Sequence, residues 1–346
     1  MKEDDFNMDV KTALKQIQSG KILPIYICFG TEKYQLNQFI KKLQDTVVDQ
    51  DGRDFGLATY DLAETPVEMV VEEAEMLPFL VPQKLIVVRD SSIFTAGKDN
   101  QKIGHNIDAL IAYINNPAPH SVIVFVVNAE KLDERKKIVK LMKGNDAVIS
   151  FMPLSANDLI TWVVAEAKSR GCVIRQEAAQ ALIQASGVHM GGLASELDKL
   201  CLFVGQGQEI EVEAINQLVE RNTEQNVFVM VEHIANLKLD EALNIFYELL
   251  KQREEPIKIV ALIARQFRIM LQVKELGAKN YSQQQIASQL SLHPYGVKVA
   301  GDQARRFEAT RLKQLLARLA QLDYEMKSGK MDKVLGLELF LLHLAA

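Results

Sequence analysis

Residues 67–89 limit the fold more than any other stretch. Val67, Val70, Val71 and Ala74 recur at three- and four-residue spacing, the period of one helical face. Pro78 has no amide hydrogen and biases Leu77 out of the α region, so this helix ends near Met76 or Leu77. A little further on, Leu85-Ile86-Val87-Val88 is an unbroken apolar run between Lys84 and Arg89, the composition of a parallel strand buried on both faces. Between them lies Leu77-Pro78-Phe79-Leu80-Val81-Pro82, apolar and with a proline near each end. It can be neither regular helix nor central strand. Its side chains either plug the core or are offered to a partner. An exposed apolar cluster is a liability without a partner, so the stretch by itself favours the plug.

The pattern of that stretch extends over the first 150 or so residues. Strand runs are expected at Ile22–Phe29, Leu57–Leu62, Lys84–Arg89, Val122–Val127 and Ala147–Phe151. Helical periods fall at Glu32–Val48, Val67–Met76, Ile103–Asn115 and Leu132–Met142. Strands separated by helices predict a five-stranded parallel sheet covered on both faces, with any ligand at the ends of the strands. A nucleotide site would follow the first strand, which ends in Gly30. A phosphate loop needs a second glycine followed by Lys and a hydroxyl residue, so that backbone amides, a cation and a metal ligand converge on phosphate. Here Gly30 leads into Thr31, Glu32 and Lys33 with no Gly-Lys-Thr, and Glu32 adds negative charge where phosphate would lie. The third strand ends in Arg89-Asp90 rather than paired acids, and Asn128 after the fourth is a lone polar residue. The layout is that of an ATPase domain whose site has been lost, with no cofactor expected.

From Pro153 the strand signals stop. Ser155 and Asp158 form a helix-opening cap, and helices follow at Leu159–Arg170, Gln176–Ser186 and Leu193–Val204. Trp162 shares an apolar face with Leu159 and Val163 and is expected in the core. From Val212 onward all segments are helical: Val212–Arg221, Val227–Asn236, Leu239–Lys251, Pro256–Leu276, Ser282–Leu290, Pro294–Phe307, Thr310–Lys327 and Lys330–Leu344. Residues 281–299 resemble a helix-turn-helix, but the second helix opens with His293-Pro294-Tyr295-Gly296, a poor set of base readers, and His293 is expected to pack or cap locally.

Other classes are excluded by composition. At 346 residues the chain holds two or three domains. No apolar run approaches the ~18 residues of a membrane span, and the opening MKEDDFNMDVK is acidic where a signal peptide is basic and then apolar. Cys28, Cys172 and Cys201 are odd in number and far apart, which points to a reducing cytoplasm and away from structural zinc. No Ser-His-Asp, Cys-His or His-Glu set has catalytic or metal-binding spacing. Residues 1–250 carry 24 basic against 36 acidic side chains and residues 251–346 carry 16 against 9, nets of −12 and +7 within the overall −5. The basic end either faces nucleic acid or is a solvated helical surface.

Several strings in fixed order carry a family resemblance: Ile25-Tyr26-Ile27-Cys28-Phe29-Gly30; Glu75-Met76-Leu77-Pro78-Phe79-Leu80 followed by Lys84-Leu85-Ile86-Val87-Val88; Glu130 to Lys137; Ser195 to Leu200; Glu224 to Phe228; Glu255 to Ile259; Leu262 to Arg268; His293-Pro294-Tyr295; and Asp323-Tyr324. Along essentially its whole length the chain resembles the delta subunit of the bacterial DNA polymerase III clamp loader, in its Gram-positive form. The resemblance implies a RecA-like, AAA+-type α/β domain over residues 1–152 with a degenerate nucleotide site, a three-helix lid domain over 153–211 and an all-α collar domain for oligomerisation over 212–346. It implies a non-catalytic subunit that binds and opens the beta sliding clamp, in a five-subunit ring with the tau/gamma ATPase subunits and delta-prime, on primer-template DNA at the replisome in the bacterial cytoplasm, with no membrane partner. The family's clamp-binding element falls on Leu77, Pro78, Phe79 and Leu80, which reverses the preference for a plug. The basic collar makes Lys327, Lys330 and Lys333 candidate DNA contacts. One departure is Gly191-Gly192, where many relatives carry an Arg near a nucleotide-sensing position. Two rivals differ in class: a helix-turn-helix regulator, which would shift DNA selectively, and a P-loop enzyme, which would turn over ATP with metal.

Overall fold

The apolar runs of the first unit become strands because both faces of each can be buried. The structure, a computed structural model, describes residues 10–96, 103–221, 223–236 and 238–345. Its two compact units are Met1–Pro153 and Leu154–Ala346. In the first, β1 (Ile25–Gly30), β2 (Leu57–Asp61), β3 (Lys84–Arg89), β4 (Ser121–Val127) and β5 (Val148–Phe151) form one parallel sheet in the order β2-β3-β4-β1-β5. The helices are α1 (Val10–Gln18), α2 (Lys33–Val47), α3 (Arg53–Gly56), α4 (Val67–Glu75), α5 (Ile107–Asn115) and α6 (Lys137–Gly144). Alternate strand residues leave by opposite faces. Ile25, Ile27, Ile86, Val88, Ile123 and Phe125 pack with α4, α5 and α6. Tyr26, Cys28, Leu85, Val87, Val122 and Val124 pack with α1 and α2 on the other side. Since α2 follows β1 on one face and α6 follows its neighbour β4 on the other, the ligand crevice of such a sheet opens at Gly30 and Asn128.

Several boundaries differ from the sequence expectation, each for a local reason. Pro24 cannot donate to the ladder, and β1 starts just after it rather than at Ile22. Asn106 caps α5, its side chain accepting from the Ala109 amide at 3.1 Å, so this helix begins at Ile107 instead of Ile103. Asp133 accepts from the Arg135 amide at 3.1 Å in an Asx turn, which delays α6 from Leu132 to Lys137. Neither α1 nor the four-residue α3 is foreseen.

The second unit contains α7 (Ala156–Ser169), α8 (Gln176–Ser186), α9 (Met190–Val204) and α10 (Val212–Leu218), then α11 (Thr223–Ala235), α12 (Leu239–Lys251), α13 (Pro256–Ala278), α14 (Gln283–Leu290), α15 (Pro294–Ala304), α16 (Ala309–Lys327) and α17 (Lys333–Ala345). Strands do not stop at Pro153: β6 (Val173–Ile174) and β7 (Glu209–Ile210) pair in parallel, too short to show a period. Leu159 and Val163 are buried, but Trp162 is only half-buried. α10 packs on α8 and α9, and the long α13 packs against α11, α15, α16 and α17. The helix-turn-helix pattern becomes α14 and α15 joined through Ser291 at φ +52°. His293 caps α15, its Nδ1 accepting from the Tyr295 amide at 3.1 Å. Burial, reinforced by His189, pushes His293 down to about 4, which keeps that acceptor neutral. Pro294 and Tyr295 are buried, so the end of α15 that a recognition helix would lay on base edges is inside the protein.

Candidate functional site

The last carbonyls of a helix have no partner within it. At the end of α4 three side chains from the sheet region supply them. Lys84 of β3 donates to the Glu73 carbonyl and, at 2.9 Å, to its carboxylate. Ser121 of β4 donates to the Ala74 carbonyl at 2.7 Å, and His120 Nε2 to that of Met76 at 3.0 Å. Lys84 is buried, and its cation sits at the favourable end of the helix dipole. Tyr60 also donates to Glu73, at 3.4 Å, and burial followed by the Glu73 charge pushes its phenol up. These bonds fix where the chain leaves α4.

Beyond that point the apolar link is not a plug. Leu77 is 83%, Phe79 68% and Leu80 72% exposed, while Pro78 is half-buried. Leu80 adopts φ +59°, a left-handed conformation that costs a non-glycine residue roughly 1–2 kcal/mol. Behind the tip, Val81 covers Gly52, where a Cβ would lie 2.5 Å from Val81 Cγ1. Phe55 of α3, which no sequence pattern singles out, is 52% exposed and meets the Phe79 ring edge-on at 5.9 Å between centroids. The only sequence signal was a lone aromatic between Asp54 and Gly56.

Residues Gly30, Thr31, Glu32 and Lys33 lie at the crevice, but their arrangement disfavours phosphate. Glu32 caps α2, and its carboxylate accepts from the Tyr34 amide at 3.1 Å. An internal anion thus occupies the helix terminus that a phosphate would use. Thr31 and Lys33 are exposed, as are Arg89, Asp90 and Asn128. Gly191 is in the first turn of α9, its carbonyl accepting from Ser195 Oγ at 3.1 Å. Among the described residues no group of His, Cys, Asp and Glu could hold a metal, and no helix is long and apolar enough to cross a membrane.

The three candidate DNA lysines gather around the connection from α16 to α17, and all are exposed. Lys327 pairs with Asp323 at 2.7 Å, Lys330 lies 5.3 Å from the Tyr324 ring centroid, and Lys333 is 3.9 Å from Glu255. Exposed pairs of this kind are worth only about 0–1 kcal/mol, so a phosphate can displace the carboxylates. Three of the strings that carry the family resemblance meet elsewhere. Glu224, Phe228, Leu262, Arg265, Gln266 and Tyr295 line a cleft of about 180 Å3 with residues of α8. Arg265 pairs with Glu224 there at 3.0 Å. In this cleft the resemblance reports helix packing.

With the geometry in place, the comparisons agree on one family. Residues 26–152 match the family described as DNA polymerase III, delta subunit, and residues 224–344 match DNA polymerase III delta subunit, C-terminal domain. The chain belongs to the family of DNA polymerase III delta subunits. It is 43% identical over 330 residues to DNA polymerase III subunit delta of Bacillus subtilis (strain 168), covering 95% of each chain. The solved structure of the Bacillus subtilis DNA clamp loader delta protein (YqeN) superposes with a TM-score of 0.77 at 42% identity, covering 97% of this chain and 99% of that one. The five-stranded parallel sheet with its helices is thus that of a clamp-loader delta subunit of a DNA replication machine.

Proposed function

We propose that this chain is the non-catalytic subunit that grips the beta sliding clamp with Leu77, Pro78, Phe79 and Leu80 and favours its open ring. The observation that carries the reading is the exposed apolar tip held at a fixed helix end. A clamp opens on binding only if the contact favours the open over the closed ring, so the tip supplies attachment and the adjoining face of α4 supplies the bias. Stoichiometric capture of the purified clamp from the same replisome tests the reading, and failure of the full-length chain to retain it refutes it.

The remaining parts follow the same reading. The AAA+-like domain spans 1–152, a lid follows from 153, and an all-helical collar completes the chain. We group α10 with the lid, because it packs on α8 and α9, which moves the border from 211 to the connection after Leu218. The collar joins a ring with the tau/gamma ATPases and delta-prime. In support, α17 exposes Leu335, Leu339 and Leu342 at helical spacing on a face opposite its buried Leu337 and Leu341. The assembled complex works on primer-template DNA in the bacterial cytoplasm. ATP is turned over by the partners.

Two further results are expected. Leu80→Gly removes left-handed strain and little burial, so melting stays at or slightly above wild type while clamp affinity falls about tenfold, ~1.4 kcal/mol. A melting point several degrees lower would mean that the Leu80 side chain supports the fold. Changing Lys327, Lys330 and Lys333 together to Ala weakens DNA binding by the assembled loader and flattens its salt dependence, by roughly one unit of log–log slope for each phosphate no longer neutralised. Unaltered affinity and slope would make these lysines solvated surface.

A further inference from the structure

The tip does not stand alone. Phe55 belongs to a different element, α3, which follows the tight turn Gln50–Gly52. Two close approaches hold this segment against the tip and the core. Val81 Cγ1 lies 2.5 Å from where a Cβ on Gly52 would be, and Val48 Cγ1 lies 2.6 Å from that of Gly56. Between them Phe55 is presented rather than buried: it is 52% exposed, and its ring meets Phe79 at an interplanar angle of 69°. Phe55, Leu77, Phe79 and Leu80 therefore form one exposed apolar surface drawn from two elements. The elements that carry this surface also expose acids: Asp49, Asp51 and Asp54 at the turn and on α3, and Glu72 and Glu75 on the last turns of α4.

We propose that Phe55 is part of the clamp-docking surface and acts with Phe79 as one aromatic anchor, and that the matching pocket on the clamp is apolar with a basic rim. The inference rests on the tip being the clamp-binding element. Edge-to-face pairing favours one orientation of the Phe79 ring before the partner arrives, which lowers the entropy lost on docking. The half of Phe55 left in solvent is the half a pocket can cover. The acidic rim supplies complementarity, whose mark is an association rate that falls with salt.

The test is titration of the intact purified clamp with the full-length chain, as wild type, Phe55→Ala, Phe55→Leu, Phe79→Ala and the Phe55/Phe79 double alanine variant, with melting recorded for each. Phe55→Ala is expected to weaken binding about 5- to 30-fold with near wild-type melting, and Phe55→Leu to recover part of the loss. The double variant should bind scarcely more weakly than Phe79→Ala, because the two rings act as a unit. Asp51→Asn with Asp54→Asn should slow association and reduce its salt dependence. Phe55→Ala binding within twofold of wild type, or losses at the two rings that simply multiply, overturns the shared anchor. Full affinity in Phe79→Ala overturns the tip reading itself, and is recognised separately from a failure confined to Phe55.

Discussion

Phe79→Ala is expected to remove clamp binding while leaving the fold intact. Truncating a central interface anchor typically costs about 2–4 kcal/mol, roughly 30- to 1000-fold in affinity. The same change in a core would cost about 3–5 kcal/mol of stability. Phe79 is 68% exposed, so its removal from the free protein resembles a surface substitution, within about 0.5 kcal/mol. Its one described ring partner, Phe55, is itself half in solvent. Melting and assembly into the loader should therefore match wild type, with capture and loading of the clamp lost. A variant that melts many degrees lower, or that captures the clamp with full affinity, would show that Phe79 supports the fold or is idle.

On the proposed reading, the way α4 ends is what makes the tip a usable anchor. An apolar loop left free would collapse onto the nearest core. Here Lys84, Ser121 and His120 tie the Glu73, Ala74 and Met76 carbonyls of the exit to the sheet region, and Val81 sits over Gly52. The exposed residues are then a short span between two fixed points, too constrained to fold back. The left-handed Leu80 is consistent with this: strain of ~1–2 kcal/mol with little burial to offset it survives only where the surroundings impose it.

The sheet was legible because burial on both faces leaves unbroken apolar runs, and β3 and β4 are where the runs lie. The place of the tip was also legible, since Pro78 has to end the helix. Its exposure was not, because Leu77-Pro78-Phe79-Leu80 has the same composition whether it plugs a core or meets a partner. The resemblance pointed outward to a partner; the structure shows Leu77, Phe79 and Leu80 exposed. Phe55 could not be found, since a four-residue helix has no period. The capture of α4 by Lys84, Ser121 and His120 joins residues 11 to 47 positions apart, which no local pattern records. Glu32 was read as an unwelcome charge, whereas its role as cap of α2 depends on backbone geometry. The partner of Lys327 is four residues away and readable from spacing, while Lys333 meets Glu255 only through the fold.

Gly30→Ala is expected to be the most destabilising single change of those considered, and it separates two meanings of a glycine after the first strand. In a working phosphate loop, glycine lets backbone amides approach phosphate. In this chain it lets β1 approach β5. Gly30 adopts φ +139°, and a Cβ there would lie 2.0 Å from the Phe151 carbonyl oxygen and 2.5 Å from its carbon. That backbone cannot easily yield. Gly30 is paired with Phe151 in the ladder, and the same Phe151 oxygen accepts from the Glu32 amide at 2.9 Å. Backbone strain of about 1–3 kcal/mol plus one or two disturbed hydrogen bonds makes a loss of roughly 3–5 kcal/mol, or a fall in melting on the order of 10 °C. Ligand linkage supplies the control. A protein that binds ATP melts higher in its presence by an amount set by concentration over Kd. With Glu32 at the N-terminus of α2 and no Gly-Lys-Thr, wild type should show no shift in millimolar ATP with magnesium. A clear upward shift in wild type, abolished by Lys33→Ala, would restore a nucleotide site at this crevice. Wild-type melting in Gly30→Ala would mean that β1 and β5 can separate there, leaving the glycine free for another role.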